Sequence, residues 1–197
     1  MAKRGLYKHH LPAVFSYRFK RTIGVLGGSF NPAHEGHIAL SKAAMQHGKF
    51  DQIWWLVSPQ NPLKSDKDMA EFQERLAYAR TLAQDLPWLR VFDLESQQKH
   101  HYSYDTMMQL RKRAPLSRFT WLMGTDNLIQ FPQWYRAKDM ARLVPFMVFR
   151  RKASFYPALG SKGRHYFKPA TLQLISAFNH NSSATALRQQ GFWQNRP

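Results

Sequence analysis

Two histidines three positions apart, His34 and His37, close the stretch Gly27-Gly28-Ser29-Phe30-Asn31-Pro32-Ala33-His34-Glu35-Gly36-His37. Imidazoles at that spacing share one side of a turn that enters a helix. The glycine pair ahead of them lets the backbone bend sharply and come close to a ligand. Upstream, Thr22–Gly27 is a short apolar run rich in strand formers, which reads as a buried strand. Downstream, Gly36–Gln46 carries Ile38, Ala39, Leu40, Ala43, Ala44 and Met45, a helix that stops at Gly48. The start of that helix points unpaired N–H groups and a positive dipole end at the bend. Together these parts make a phosphate cradle with two imidazoles in it. Two other readings fit the same residues. An H-x-x-H pair ligates metal in some proteins, although no third ligand stands at a telling spacing. A structural turn with two incidental histidines also fits. The segment is neither the dinucleotide fingerprint G-x-G-x-x-G nor the lysine-bearing P-loop.

The elements that must position this cradle alternate along the chain. Ile53–Val57 is a second strand, stopped by Ser58-Pro59 and followed by a polar loop over Asn61–Asp68. Ala70–Asp85 is helical, with Phe72, Leu76, Ala79 and Leu82 on one face. Leu89–Leu94 is a third strand and Ser103–Arg113 a helix. Phe119–Met123 is a fourth strand that runs into Gly124. Trp134–Leu143 is helical, Pro145–Phe149 is a fifth strand, and residues 151–170 read as a long basic loop. A last helix covers Ala184–Gln189. Strands and helices at this spacing predict an α/β fold: a Rossmann-like open, mostly parallel sheet with helices on both faces. Ligands of such sheets sit beyond the carboxyl ends of the strands, where strand order reverses. Residues 1–21 lack a clean period and form a basic arm; residues 22–197 form the domain.

The chain has 197 residues, enough for one domain with a real core. It has no cysteine, which excludes disulfides, thiolate zinc sites and cysteine nucleophiles. No apolar run approaches the ~18 residues of a membrane span. The Leu11–Phe15 run is too short for a signal-peptide core, so a soluble, cytoplasmic protein is expected. Net charge is +17, and it is uneven. Residues 99–197 hold sixteen Lys/Arg against three acids, the last of them Asp139. Such a half suits a polyanionic partner: nucleotide phosphates, nucleic acid or an acidic surface.

GGSFNPAHEGH resembles the signature of the nucleotidyltransferase superfamily, G-G-[ST]-F-[DN]-P-x-H-x-G-H, and departs from it nowhere. Further segments resemble the bacterial nicotinate-mononucleotide adenylyltransferase branch. Trp54-Trp55-Leu56-Val57-Ser58-Pro59-Gln60-Asn61-Pro62-Leu63-Lys64 is similar to its strand and substrate loop. Tyr102-Ser103-Tyr104-Asp105-Thr106 is similar to its tyrosine–threonine segment, and Gly124-Thr125-Asp126-Asn127-Leu128 with Phe131 and Trp134 to its G-x-D-x-L block. Ser183-Ala184-Thr185-Ala186-Leu187-Arg188 is similar to its closing S-[SA]-T-x-[IL]-R box. The resemblance spans about residues 22–190. Arg150-Arg151-Lys152-Ala153 replaces the usual arginine-proline-glycine, and only nine residues follow Arg188, so the last helices of many relatives are expected to be missing or replaced.

The resemblance implies transfer of AMP from ATP to nicotinate mononucleotide, giving deamido-NAD and pyrophosphate. A phosphate oxygen already attacks well, so no serine or cysteine is needed. The obstacle is repulsion between two anions, about 1 kcal/mol per unit-charge pair at 4 Å in water and ~4 kcal/mol at an effective dielectric of 20. Neutralisation and alignment must therefore do the work. His34 and His37 are the expected catalytic pair, donating to the α/β-phosphates. Gly27, Gly28, Ser29, Phe30, Gly124, Asp126, Ser183, Thr185 and Arg188 join them as the ATP-binding set. Asn61, Lys64, Thr106, Trp134 and Arg151 are the expected mononucleotide-binding set. Trp134 is read either as a flat face for the nicotinate ring or as a core aromatic. Mg²⁺ is expected to arrive with ATP, with no metal site built from protein ligands alone. No nucleic acid or membrane partner is expected, and an oligomer is left open. The rivals are a phosphopantetheine or other mononucleotide adenylyltransferase and, more distantly, a nucleic-acid-binding protein.

Overall fold

The computed structural model describes residues 20–59, 69–94, 102–151, 154–176, 184–189 and 191–193. Six strands form one sheet: β1 (Thr22–Gly28), β2 (Gln52–Val57), β3 (Leu89–Phe92), β4 (Arg118–Gly124), β5 (Phe146–Phe149) and β6 (Leu172–Ile175). Their order is β3-β2-β1-β4-β5-β6, and every pairing is parallel. The order reverses between β1 and β4, so the crevice for a ligand opens past Gly28 and Gly124. The helices are α1 (Glu35–Gly48), α2 (Phe72–Ala83), α3 (Ser103–Arg113), α4 (Thr125–Gln130), α5 (Ala137–Leu143), α6 (Phe155–Leu159) and α7 (Ala184–Gln189).

Side chains alternate across a strand, so successive tryptophans serve opposite cores. Trp54 packs with Ile23, Val25, Trp121 and Phe146, together with Met107 and Leu110 of α3 and Met140 of α5. Trp55 packs on the other face with Leu26, Val57 and Leu122, together with Leu40 and Ala44 of α1 and Leu76 and Ala79 of α2. Both cores are needed because a parallel sheet must be covered on both faces.

Three expectations need correction. Residues 151–170 are not one long loop: they hold α6 and the 3₁₀ turns Lys162–Tyr166 and Pro169–Thr171. The cause is aromatic docking, with Phe167 stacked 5.0 Å from Phe131 and tilted 4.8 Å from Phe146. Strand β6 was not anticipated; it is a four-residue edge strand whose burial is complete only at Ile175. The helix expected from Trp134 begins at Ala137, since Trp134 caps a 3₁₀ turn over Phe131–Gln133 and Arg136 holds φ 53°. The basic arm falls outside the described residues except for Lys20 and Arg21.

Candidate functional site

The segment that leaves β1 makes its turn beyond the glycine pair. Phe30 holds φ 46°, in the left-handed region, whereas neither Gly27 nor Gly28 has a positive φ. Gly27 is required for space instead. A Cβ there would lie 2.5 Å from Cη2 of Trp121. The glycine bend expected at Gly27-Gly28 is therefore a bend at Phe30. Its ring, 2% exposed, stacks 5.0 Å from Trp55 and lies 4.7 Å from the ring of His37. The side chain of Phe30 is thus a floor for the imidazole.

His34 caps α1. Its Nδ1 accepts the Gly36 N–H at 3.0 Å, and the His34 N–H donates to Nδ1 of His37 at 3.2 Å. This reciprocal cap satisfies two donors at the helix start. It also fixes the chemistry of both rings: a nitrogen that accepts an N–H carries no proton, so in each neutral imidazole the proton sits on Nε2. The rings lie 4.0 Å apart, centroid to centroid, and His34 is buried. A buried relay holds the site from below. Trp55 Nε1 donates to Ser41 Oγ at 2.8 Å, and Ser41 Oγ donates to the His37 carbonyl at 2.8 Å.

Two residues outside the expected set organise the loops. Arg75 of α2 is 1% exposed and, among the described residues, donates to backbone carbonyls: Ala70 at 2.9 Å, Ser58 at 2.8 Å, Pro59 at 2.5 Å, and Ser29. It joins the ends of β1 and β2 to the start of α2. Burial holds its pKa below the ordinary arginine value, with Glu71 opposing. Asn31 is the second. Its Oδ1 accepts from Ala70 N at 3.2 Å and from Trp193 Nε1 at 2.8 Å. Its carbonyl accepts from Arg188 Nη1 at 2.7 Å, while Arg188 Nη2 reaches Thr185 Oγ1 at 3.4 Å. The arginine expected at the phosphates therefore comes to the loop itself, and Thr185 comes with it.

At the end of β4, Thr125 Oγ1 accepts the Arg151 N–H at 2.9 Å and shares a 2.6 Å hydrogen bond with Ser154 Oγ. Arg151 Nε lies 3.4 Å from Asp126 Oδ1. That oxygen is shielded from solvent and accepts no hydrogen bond among the described residues. Gly124 keeps this corner open, since a Cβ there would lie 2.4 Å from Asp126 Oδ1 and 2.8 Å from Arg151 Nε. Asp126 and Arg151, assigned by sequence to two different ligands, are one ion pair.

The remaining expected residues separate. Thr106 is buried, and its hydroxyl donates to the Tyr102 carbonyl at 3.3 Å. Trp134 is half-buried, edge-on to Trp121 at 6.0 Å and tilted to Phe131 at 5.4 Å, so it is in part a core aromatic. Asn61, Lys64 and Ser183 lie outside the described residues. A signal for Arg75 existed in the sequence: it stands beside Leu76 on the stripe that continues to Ala79, where a charge has to be satisfied. Nothing in the sequence marked the partnership of Asn31 with Trp193.

A family model described as cytidylyltransferase-like matches residues 25–190. A protein of Parvibaculum lavamentivorans named "Probable nicotinate-nucleotide adenylyltransferase" is 40% identical over 190 residues, covering 88% of this chain and 94% of its own. One of the same name from a Ruegeria species is 43% identical over 188 residues, covering 87% and 98%. Among solved structures, a Plasmodium falciparum nicotinic acid mononucleotide adenylyltransferase complexed with NaAD superposes with a TM-score of 0.69 at 20% identity, over 86% of this chain and 83% of that one. The fold is common to both. With a reversal point built around paired histidines and relatives this similar along most of its length, the chain belongs to the cytidylyltransferase-like nucleotidyltransferases, in the nicotinate-nucleotide adenylyltransferase family.

Proposed function

We propose that this protein transfers the AMP moiety of ATP to nicotinate mononucleotide in the cytoplasm, forming deamido-NAD and releasing pyrophosphate. The observation that carries the reading is the reciprocal histidine cap, which fixes two imidazoles through their Nδ1 atoms at the N-terminus of α1 beside the reversal of strand order. In the reaction, an oxygen of the mononucleotide phosphate attacks the α-phosphorus of ATP. A new phosphorus–oxygen bond forms, the bond to the β-phosphate oxygen breaks, and pyrophosphate leaves with the electron pair. His37, with His34 beside it, donates to the α- and β-phosphate oxygens and stabilises charge that grows as the bond breaks. No proton transfer to the rings is needed, because an imidazole N–H already donates.

Backbone N–H groups along Gly28–Phe30 hold the same phosphates, and the positive dipole end of α1 attracts them. Arg188, fixed against Asn31, offers its further N–H donors to the β/γ end. The Asp126 carboxylate, 41% exposed, suits a ribose hydroxyl as an acceptor. Mg²⁺ enters with ATP as part of that substrate. The exposed part of Trp134 offers a π face to the nicotinate ring, and Asn61 and Lys64 supply polar contacts to the mononucleotide. Arg151 balances Asp126 and orients it, a role more specific than direct binding of the mononucleotide. The nucleic-acid reading loses support because Trp54, Trp55 and Trp121 are 1%, 0% and 1% exposed and offer no stacking surface.

The test is pyrophosphate release with ATP and nicotinate mononucleotide, nicotinamide mononucleotide or phosphopantetheine in parallel. The nicotinate nucleotide is expected to give the highest kcat/KM. Equal efficiency with the nicotinamide form overturns the acid preference, and release only with phosphopantetheine overturns the substrate.

A further inference from the structure

We propose that Trp193 is a positioning residue for the ATP-binding loop, acting through Asn31 from beyond the stretch that the family model matches. The inference rests on the adenylyl-transfer reading of the same site. Asn31 follows Phe30, the residue whose positive φ turns the chain under the imidazole of His37. Any drift of Asn31 therefore moves both the backbone donors of the loop and the floor of the histidine. Asn31 is 5% exposed, and three hydrogen bonds are among the contacts that grip it. Ala70 N and Trp193 Nε1 share its Oδ1, and Arg188 takes its carbonyl. Two of the three grips come from α7 and the turn after it.

That turn is anchored in its own right. Gly191 N–H donates to the Arg188 carbonyl at 2.9 Å and Phe192 N–H to the Leu187 carbonyl at 3.2 Å, and Gly191 holds φ 73°. Phe192 packs 5.2 Å from Tyr78 of α2, and Trp193 lies 6.1 Å from the same ring. The aromatic pair thus docks on α2, the helix that also carries Arg75. The indole N–H reaches the loop from a fixed base. Removing it takes one donor from Asn31 Oδ1, and the loop spends less time in the competent arrangement. Apparent affinity falls with the competent fraction. Because the loop holds the triphosphate, the effect belongs to ATP and not to the mononucleotide.

The experiment uses the full chain and two substitutions, Trp193→Phe, which keeps the ring packing and deletes the donor, and Asn31→Ala. KM for ATP is expected to rise about 2- to 12-fold in Trp193→Phe, the size of one neutral hydrogen bond, with kcat and the mononucleotide KM changed less than about two-fold. The double variant is expected to match Asn31→Ala alone, because both changes remove the same contact. An unchanged KM for ATP overturns the proposal. So do effects of the two substitutions that simply multiply, and an equal rise in both KM values with a lowered melting temperature. Wild-type pyrophosphate release is the control: its absence refutes adenylyl transfer, whereas its presence with an indifferent Trp193→Phe refutes only this inference.

Discussion

Replacing Arg75 by methionine tests how the loops around the site are held. Methionine keeps the apolar stem in place and deletes the donors to the carbonyls of Ala70, Ser58, Pro59 and Ser29. The bond to Ser58 is buried, and a dry carbonyl there costs about 1–3 kcal/mol. The other three are partly accessible and regain water, so each loses only about 0.5–1.5 kcal/mol. Against this, the variant no longer buries a guanidinium, the burial that holds the Arg75 pKa down. The balance is a loss of about 3 kcal/mol, or about 6–12 °C in Tm for a chain of this size. The assay is a thermal melt followed by circular dichroism, with KM for both substrates measured below the transition. Lysine at this position is expected to fall between the two, since one ammonium cannot span four carbonyls. A methionine variant that melts within about 2 °C of wild type and keeps both KM values would refute the view that this side chain clamps the loops.

Three shorter tests address the rest of the site. His37→Ala should lower kcat by about 10²–10³, by analogy with loss of one transition-state donor, with a modest fall in Tm from the broken cap; turnover at the wild-type rate removes the histidine from the mechanism. Gly27→Ala should destabilise by about 1–3 kcal/mol through overpacking on Trp121, and adding Trp121→Leu should recover part of it in a denaturant titration. Gly124→Ala should push Asp126 and Arg151 apart with little change in Tm, since an exposed pair contributes only about 0–1 kcal/mol. KM for ATP should nevertheless rise about 2- to 10-fold, and an unaltered value would detach Asp126 from the nucleotide.

The legible part of this protein was the part written in unbroken apolar runs. Leu26, Trp54-Trp55 and Leu122 lie in central parallel strands, buried on both faces, and such strands cannot be mistaken for surface. Strand β6 escaped because an edge strand faces solvent on one side, and Leu172-Gln173-Leu174-Ile175 is too short to show a period. Helix α4 escaped for the same reason of length, with six residues that begin directly after Gly124. At the site, the histidine pair was legible because its spacing is local. Arg75 with Ser29, and Asn31 with Trp193, are 46 and 162 residues apart, and no local pattern records such a pairing. The glycines misled in an instructive way. They suggested conformational freedom, whereas Gly27 is there for the missing Cβ and Phe30 takes the unusual φ.

The hydrogen bond from Arg188 to Asn31 joins residues 157 positions apart. During synthesis at about 5–20 residues per second, the earlier residue waits roughly 8–30 s for the later one to exist. All six strands, the last ending at Ile175, are already made by then. A nascent chain can therefore acquire much of its architecture well before it acquires competence. Ribosome-stalled intermediates ending before Arg188 should accumulate protease resistance in the sheet while remaining unable to retain ATP.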